Sequence, residues 1–343
     1  LEDLKSVRQW GSKTPGHPEY GVTPGVEVTT GPLGQGFAMA VGMAIAERYL
    51  GSFFNRPDFP VINHYTYTIV SDGDLMEGIS HEAASLAGTL RLAKLICLYD
   101  DNDVSIEGST DITFTEDVEK RFTAYDWHVI KIGDANDIDA VSDAIAQAQK
   151  TPKPSLIIVR SHIGYGSPKQ DSADAHGAPL GRDATLATKK ALGWPSEPPF
   201  YVPDEVRSKF EEACQRGKQA HKAWLELIET YRNHHPHEAS YLAAIIENEP
   251  VARQLSTPHF DPGDGPIATR SASGKILNAL AEQFPMLIGG SADLAPSTKT
   301  LLTDYPDFSS DHPEGRNLRF GVRELAMAAI LNGISLHGGL VPY

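Results

Sequence analysis

The sequence predicts an α/β fold: a parallel sheet with helices on both faces, followed by a second α/β unit that begins near residue 255. Three observations carry this. Short β-branched and aromatic runs alternate with helical stretches of ~10–15 residues, the pattern of parallel strands joined by crossover helices. The alternation stops at a proline-rich stretch and then resumes. The chain is also 343 residues long, beyond the ~100–200 residues usual for one domain.

Taken in order, residues 1–30 are rich in glycine, proline and threonine and read as loop. The run Gly31–Gly36 leads into a predicted helix over Phe37–Leu50, where alanine and methionine recur. Tyr65–Val70 reads as strand, Gly78–Arg91 as helix and Leu95–Tyr99 as strand. His128–Ile132, Ile138–Lys150 and Ser155–Val159 repeat strand, helix, strand. Pro195–Pro199 breaks the pattern, and Asp204–Arg232 reads as a long, charged amphipathic helix. The stretch 248–266 reads as a linker. Beyond it come a predicted helix over Ala272–Phe284, a strand over Met286–Ile288, the turn Gly289–Ser291 and an apolar helix from Glu324. The expected domains are therefore 1–255 and 256–343.

Composition narrows the function. Apolar residues make up 41% and charged residues 22%, ordinary globular values that exclude disordered, collagen-like and coiled-coil chains. Thirty lysines and arginines face 45 acidic residues, a net charge of −15. That balance argues against general nucleic-acid or anionic-membrane binding, which need a cationic surface. Two cysteines, Cys97 and Cys214, supply neither a disulfide framework nor four thiolates for zinc, which fits a reducing, cytoplasmic setting. No apolar run approaches the ~20 residues of a membrane span. The chain opens on Leu1 and stops at Tyr343, straight after an apolar, glycine-rich run; both ends read as cut.

The most informative stretch pairs Ser71-Asp72-Gly73-Asp74 after one strand with Asp100-Asp101-Asn102-Asp103-Val104 after the next. Asp72 and Asn102 are thus one βαβ unit apart, just past the carboxyl ends of parallel strands, where open α/β sheets bind ligands. A carboxylate, an amide oxygen and nearby backbone carbonyls form a hard-oxygen set suited to Mg²⁺ or Ca²⁺, with a phosphate completing the shell. Gly73 would let the backbone approach that phosphate. An acidic turn that merely caps a helix gives the same pattern.

Gly31–Gly36 lacks the strand–GxGxxG–helix form of a dinucleotide site and reads more readily as a plain glycine turn than as a phosphate loop. His17 and His176 sit in loops beside glycine and proline, where an imidazole is placed to meet a ligand or simply to face water. His234, His235 and His237 read as exposed at a helix end. Glu324 enters an apolar helix: it is either a buried carboxyl with a raised pKa, suited to proton transfer, or a first-turn glutamate favoured by the helix dipole.

Together these motifs resemble the transketolase family of thiamine-diphosphate enzymes. The matching runs are residues 13–19 (Lys-Thr-Pro-Gly-His-Pro-Glu), 29–36 (Thr-Thr-Gly-Pro-Leu-Gly-Gln-Gly), 72–82 (Asp-Gly-Asp-Leu-Met-Glu-Gly-Ile-Ser-His-Glu) and 100–102 (Asp-Asp-Asn). Further matches are 176–181 (His-Gly-Ala-Pro-Leu-Gly), 289–294 (Gly-Gly-Ser-Ala-Asp-Leu) and 321–324 (Gly-Val-Arg-Glu). They occur in the family's order over nearly the whole chain.

The resemblance implies a diphosphate domain over 1–255, short at its amino end, and the opening of a pyrimidine domain over 256–343. It implies that Asp72, Asn102 and the Val104 carbonyl bind Mg²⁺ (with Ca²⁺ as a substitute), and that Gly31, Gly73 and His176 contact the cofactor, the last two at its diphosphate. Leu33 and Ile106 would pack its thiazolium. Glu324, reaching in from the partner subunit of a homodimer, would hydrogen-bond the aminopyrimidine and promote formation of the nucleophile. His17 and His176 would contact substrate and assist proton transfer, while Arg270 and Ser297 would hold the sugar phosphate.

The implied reaction is reversible ketol transfer from a ketose phosphate to an aldose phosphate, in the pentose phosphate pathway. Rival readings are dihydroxyacetone synthase, 1-deoxyxylulose-5-phosphate synthase, and a non-catalytic fragment; a nicotinamide dehydrogenase is disfavoured by the missing glycine motif. Two departures stand out: Ser71 and Asp103 occupy positions where the family usually has glycine. Serine is expected to intrude near the diphosphate, and Asp103 either adds charge near the metal or strains the backbone.

Overall fold

A computed structural model describes residues 1–247 and 255–343. A short helix α1 (Glu2–Lys5) and a long loop precede α2 (Gln35–Phe54). There follow β1 (Thr66–Ser71), α3 (Asp72–Met76), α4 (Gly78–Thr89), β2 (Leu95–Asp101) and the small hairpin β3 (Val104–Ser105) and β4 (Gly108–Ser109). Next come α5 (Val118–Ala124), β5 (His128–Ile132), α6 (Ile138–Ala148), β6 (Ser155–Arg160), α7 (Arg182–Ala191), α8 (Asp204–His234) and α9 (Pro236–Ile246). The second part comprises α10 (Thr269–Gln283), β7 (Leu287–Ser291), α11 (Ala295–Thr298), β8 (Asn317–Arg319), α12 (Glu324–His337) and β9 (Val341–Pro342).

The first sheet has the order β1-β2-β6-β5 and is parallel throughout. The inner strands β2 and β6 are buried on both faces, whereas the edge strand β1 exposes Tyr67 and Ile69. Leu95, Cys97 and Tyr99 of β2, with Leu156 and Ile158 of β6, face the cluster built on α2 and α4. Ile96, Ile157 and Val159 point the other way, into a smaller cluster with Ala144 and Ala148 of α6. The period of two along each strand therefore divides one sheet between two cores. The second sheet, β8-β7-β9, is also parallel.

Sequence expectation and structure differ at identifiable places. β2 runs on through Asp100 and Asp101, because β6 pairs with both even though they are acidic. Helix α9, for which sequence reading predicts no element, starts at Pro236; at the first helical position proline's missing N–H costs nothing. The polar helices α5 and α7 carry little apolar signal. His235 is half-buried, not exposed: its ring packs 5.5 Å from Phe59 and 5.2 Å from Tyr231, while His234 and His237 do face solvent. The first part of the predicted linker, residues 248–254, lies outside the described residues.

The two parts share one core, which runs from α2 and α4 into Ala326, Ala329, Ile330 and Ile334 of α12. Helices α2 and α12 cross at backbone distance. A Cβ on Gly42 would stand 2.1 Å from the Ile330 carbonyl oxygen, and one on Gly333 would stand 2.0 Å from that of Met39. Each helix thus offers a glycine to the other's main chain. Side chains of α2 reinforce the seam: Tyr49 donates to the Pro285 carbonyl at 2.8 Å and Arg48 to that of Ser310 at 2.5 Å. Burial pushes the Glu47 carboxyl above its ordinary range, and the Lys94 ammonium paired with it partly offsets this. Nearby, His337 Nδ1 lies 2.9 Å from the Gly338 carbonyl and must donate to it. Its Nε2 is then the acceptor for His64 Nε2–H, at 2.9 Å, with the two rings stacked.

Two outcomes are expected. Gly333→Ala forces the helices apart and should cost about 1–3 kcal/mol in denaturant unfolding, as overpacking does. Gly217→Ala in α8, where a Cβ meets nothing, should leave stability equal or up to about 1 kcal/mol higher. Desolvation, with His337 and Lys94 beside it, pushes His64 down to about 4. The unfolded chain, with an ordinary histidine, takes up that proton first, so the neutral ring's contribution is complete above about pH 6.5 and drains away as pH falls towards 4. Unfolding curves across that window should therefore be flatter with pH in His64→Gln than in the parent.

Candidate functional site

Parallel pairing sets Ser71 beside Asp100 and Asp101 beside Arg160. The ends of β1, β2 and β6 therefore come out level, and the turn after each opens on the same edge of the sheet. Asp72 begins α3 straight after β1, and Asn102 follows directly on β2. Both are buried, Asp72 to 3% exposure.

The Asp72 carboxylate is half satisfied. Oδ1 accepts a hydrogen bond from the Tyr99 hydroxyl at 2.5 Å. Oδ2 is buried and has no partner among the described residues. Desolvation, with the carboxylates of Asp101, Asp103 and Asp100 nearby, raises its pKa, although the Tyr99 bond opposes this. A buried carboxylate oxygen without a donor is costly and calls for a cation. Asn102 Oδ1 accepts from the Val104 backbone N–H at 3.0 Å and keeps a second lone pair; its Nδ2 donates to Asp100 Oδ2 at 3.1 Å. Among the described residues no group of three or more His, Cys, Asp or Glu is placed for a metal. The donors here are of another kind, one carboxylate, one amide and main-chain carbonyls, and they fit a hard, oxygen-seeking divalent cation.

The glycine loop is not a plain turn. Asp74 Oδ1 accepts from the Gly34 N–H at 2.9 Å, while Oδ2 accepts from the Ser71 N–H at 2.9 Å and the Ser71 hydroxyl at 3.0 Å. One carboxylate therefore clamps Gly31–Gly36 onto the Asp72 turn. Gly34 has φ +77° and no room for a side chain, since a Cβ would meet Ile79 at 2.6 Å. Leu33 lies over Gly73, 3.0 Å from where a Cβ would be. The Ser71 hydroxyl is thus taken up by Asp74 at the start of α3.

Asp103 does take the strained conformation, with φ +61°. Its carboxylate is held by Arg160, which also lies 3.5 Å from Asp101. The extra charge is thus paired with a guanidinium. The Ser161 hydroxyl donates to Asp100 in turn.

The remaining candidates are exposed in the single chain: His17, His176, Arg270, Ser297 and Glu324. None makes a side-chain hydrogen bond among the described residues. Gly31 is exposed too, and Leu33 and Ile106 expose 50% and 74% of their surface, so no apolar wall closes over them here. Val104 is buried. Glu324 is not the buried carboxyl that sequence reading entertains; it stands in the first turn of α12. What anchors that turn is Glu82, which accepts from the Ala326 N–H at 3.0 Å, with Arg323 donating to Ser85 at 3.0 Å. Sequence reading misses Tyr99, Asp74, Arg160 and Glu82 as members of the site. Asp74 and Glu82 lie inside a motif already singled out; Tyr99 and Arg160 need the strand register.

Two family descriptions match: transketolase, thiamine diphosphate binding domain, over residues 1–250, and transketolase, pyrimidine binding domain, over 265–343. The transketolase of Halalkalibacterium halodurans is 51% identical over 342 residues, which cover 99% of this chain and 51% of that protein. Transketolase-1, chloroplastic, of Arabidopsis thaliana is 52% identical over 347 residues, 100% of this chain and 47% of that one. Among solved structures, transketolase from Leishmania mexicana superposes with a TM-score of 0.95 at 45% identity, covering 99% of this chain and 51% of that one. A Pichia stipitis transketolase complex with sedoheptulose-7-phosphate gives 0.96 at 43%, covering 98% and 51%. The chain spans about half the length of the curated relatives it matches. Matched in both parts and along almost all of its length, the chain belongs to the transketolase family.

Proposed function

We propose that this chain provides the diphosphate-holding half of a transketolase, which moves a two-carbon ketol unit reversibly from a ketose phosphate to an aldose phosphate. The observation that carries this is the unpartnered, buried Oδ2 of Asp72 beside Asn102, at the level ends of two parallel strands. Residues 1–255 form the diphosphate domain and 256–343 the opening of the pyrimidine domain. Thiamine diphosphate, when bound, supplies a carbon nucleophile that the twenty side chains lack.

The chain's own residues hold and orient. Asp72 Oδ2, Asn102 Oδ1 and the Val104 carbonyl take Mg²⁺, for which Ca²⁺ can substitute, and through it the diphosphate. Gly73 and the clamped Gly31–Gly36 loop let the main chain approach, and His176 contacts the diphosphate. Leu33 and Ile106 supply the apolar cover for the ring. Glu324 serves the site of the partner in a homodimer, where its carboxyl holds a proton at the aminopyrimidine. The exposed Val322 and Leu325 on either side of it, at 72% and 56%, suit a surface that a second subunit covers. His17 and His176 meet the substrate and pass protons. Arg270 and Ser297 hold the sugar phosphate; the Pichia stipitis relatives solved with fructose-6-phosphate, xylulose-5-phosphate and sedoheptulose-7-phosphate support that substrate class.

Cys97 and Cys214 are free, and no helix among the described residues is long and apolar enough to cross a membrane. Both fit a cytoplasmic enzyme of the pentose phosphate pathway. A second reading concerns the 343 residues alone: with His17, Arg270, Ser297 and Glu324 all exposed, this length folds and binds without turning over.

In the full-length protein, ketol transfer between sugar phosphates should require both Mg²⁺ and thiamine diphosphate; its absence, or transfer without either, contradicts the proposal. Asp72→Ala should abolish Mg²⁺-dependent cofactor binding in calorimetry, and undiminished binding would overturn the metal assignment. Glu324→Gln should leave binding in place but lower the transfer rate about 10²–10⁴-fold, the scale of a lost proton-handling group.

A further inference from the structure

We infer that Arg160 is the positioning residue for the cation-holding loop, and that its ion pair with Asp103 is what lets an aspartate occupy a left-handed turn where glycine would be at ease. This rests on the metal reading above. The geometry begins with register. Arg160 ends β6 directly opposite Asp101 at the end of β2. From there its guanidinium reaches both Asp101, at 3.5 Å, and Asp103. Between those two acids lies Asn102, so one arginine grips the loop on either side of a metal-facing amide.

The grip opposes a strain. At φ +61° Asp103 occupies the left-handed region, which a residue with a Cβ adopts less readily than glycine does. That conformation folds the chain so that the Val104 N–H meets Asn102 Oδ1 at 3.0 Å and the Thr110 N–H meets the Asp103 carbonyl at 3.0 Å. Both bonds set where the Asn102 oxygen and the Val104 carbonyl point. Asp103 is largely exposed, with 56% of its side chain accessible, so burial does not hold it. Arg160 is also the charge balance. Without it two more carboxylates stand uncompensated near Asp72 and Asp100, and they would repel an anionic diphosphate. Arg160 is engaged by Asp101 and Asp103 and acts through the loop they flank.

A four-protein cycle in the full-length chain tests this: parent, Arg160→Met, Asp103→Gly, and the double variant. Thiamine diphosphate affinity at saturating Mg²⁺ is measured by calorimetry. Amide exchange at Val104 and Thr110 is measured without metal or cofactor. Arg160→Met should weaken cofactor binding about 10–100-fold, the usual cost of losing a group that orients metal ligands. It should also speed exchange at both amides by about tenfold or more, since their bonds depend on the loop's shape. Asp103→Gly should stay within about threefold of the parent, because glycine adopts the turn unaided. The double variant should recover most of the loss in both readouts.

Arg160→Met matching the parent in both, or a double variant no better than Arg160→Met, overturns the proposal. Should the parent itself show no Mg²⁺-dependent binding, the metal reading fails and this inference with it. Undiminished binding in Arg160→Met beside a parent that binds sinks the Arg160 role alone.

Discussion

The buried Asp72 carboxylate is the constraint around which the site is organised. Tyr99 satisfies one oxygen and nothing among the described residues satisfies the other. Burying a charged oxygen in that state opposes folding, and the surroundings show how the cost is contained. The pairing of Ser71 with Asp100 delivers Asp72 and Asn102 to the same edge. Asp74 locks the turn from within and ties it to Gly34. Arg160 absorbs Asp101 and Asp103. Each arrangement commits a charge or a hydrogen bond to holding the loops still, and leaves Oδ2 free.

The second constraint is the crossing of α2 and α12. Because Gly42 and Gly333 admit each other's main chain, the two helices approach to backbone contact and the apolar core continues from one part of the chain into the other. That contact fixes α12 at its middle. Glu82, from the same motif that carries Asp72, fixes it at its start. The helix that presents Glu324 is therefore positioned by the first part of the chain. Outward display of Glu324 follows from this packing and gives physical content to the proposal that its carboxyl serves a partner's site.

Much of this is legible in the residues. The alternation of strands and helices announces the parallel sheet, and the run Ser155–Val159 reads as a strand, as it proves to be. The spacing of Asp72 and Asn102 alone puts both at strand ends. What escapes a linear reading is whatever depends on register. Nothing in the sequence says that Arg160 stands opposite Asp101, or that the parity of β2 turns Tyr99 towards Asp72. The strain at Asp103 is one of two options that the residue type leaves open, and only its ion pair decides how that strain is borne. Ser71 illustrates the opposite limit: as a departure from glycine it reads as intrusive, yet a neighbouring carboxylate takes up its hydroxyl.

The most direct measurement of the central claim is anomalous diffraction from crystals of the full-length protein grown with Mn²⁺ and thiamine diphosphate. The account expects one strong peak per subunit within ~2.0–2.5 Å of Asp72 Oδ2, Asn102 Oδ1 and the Val104 carbonyl oxygen, with phosphate oxygens completing the shell. A manganese ion bound to the diphosphate but away from Asp72 Oδ2, or no ordered ion with the cofactor in place, would contradict it.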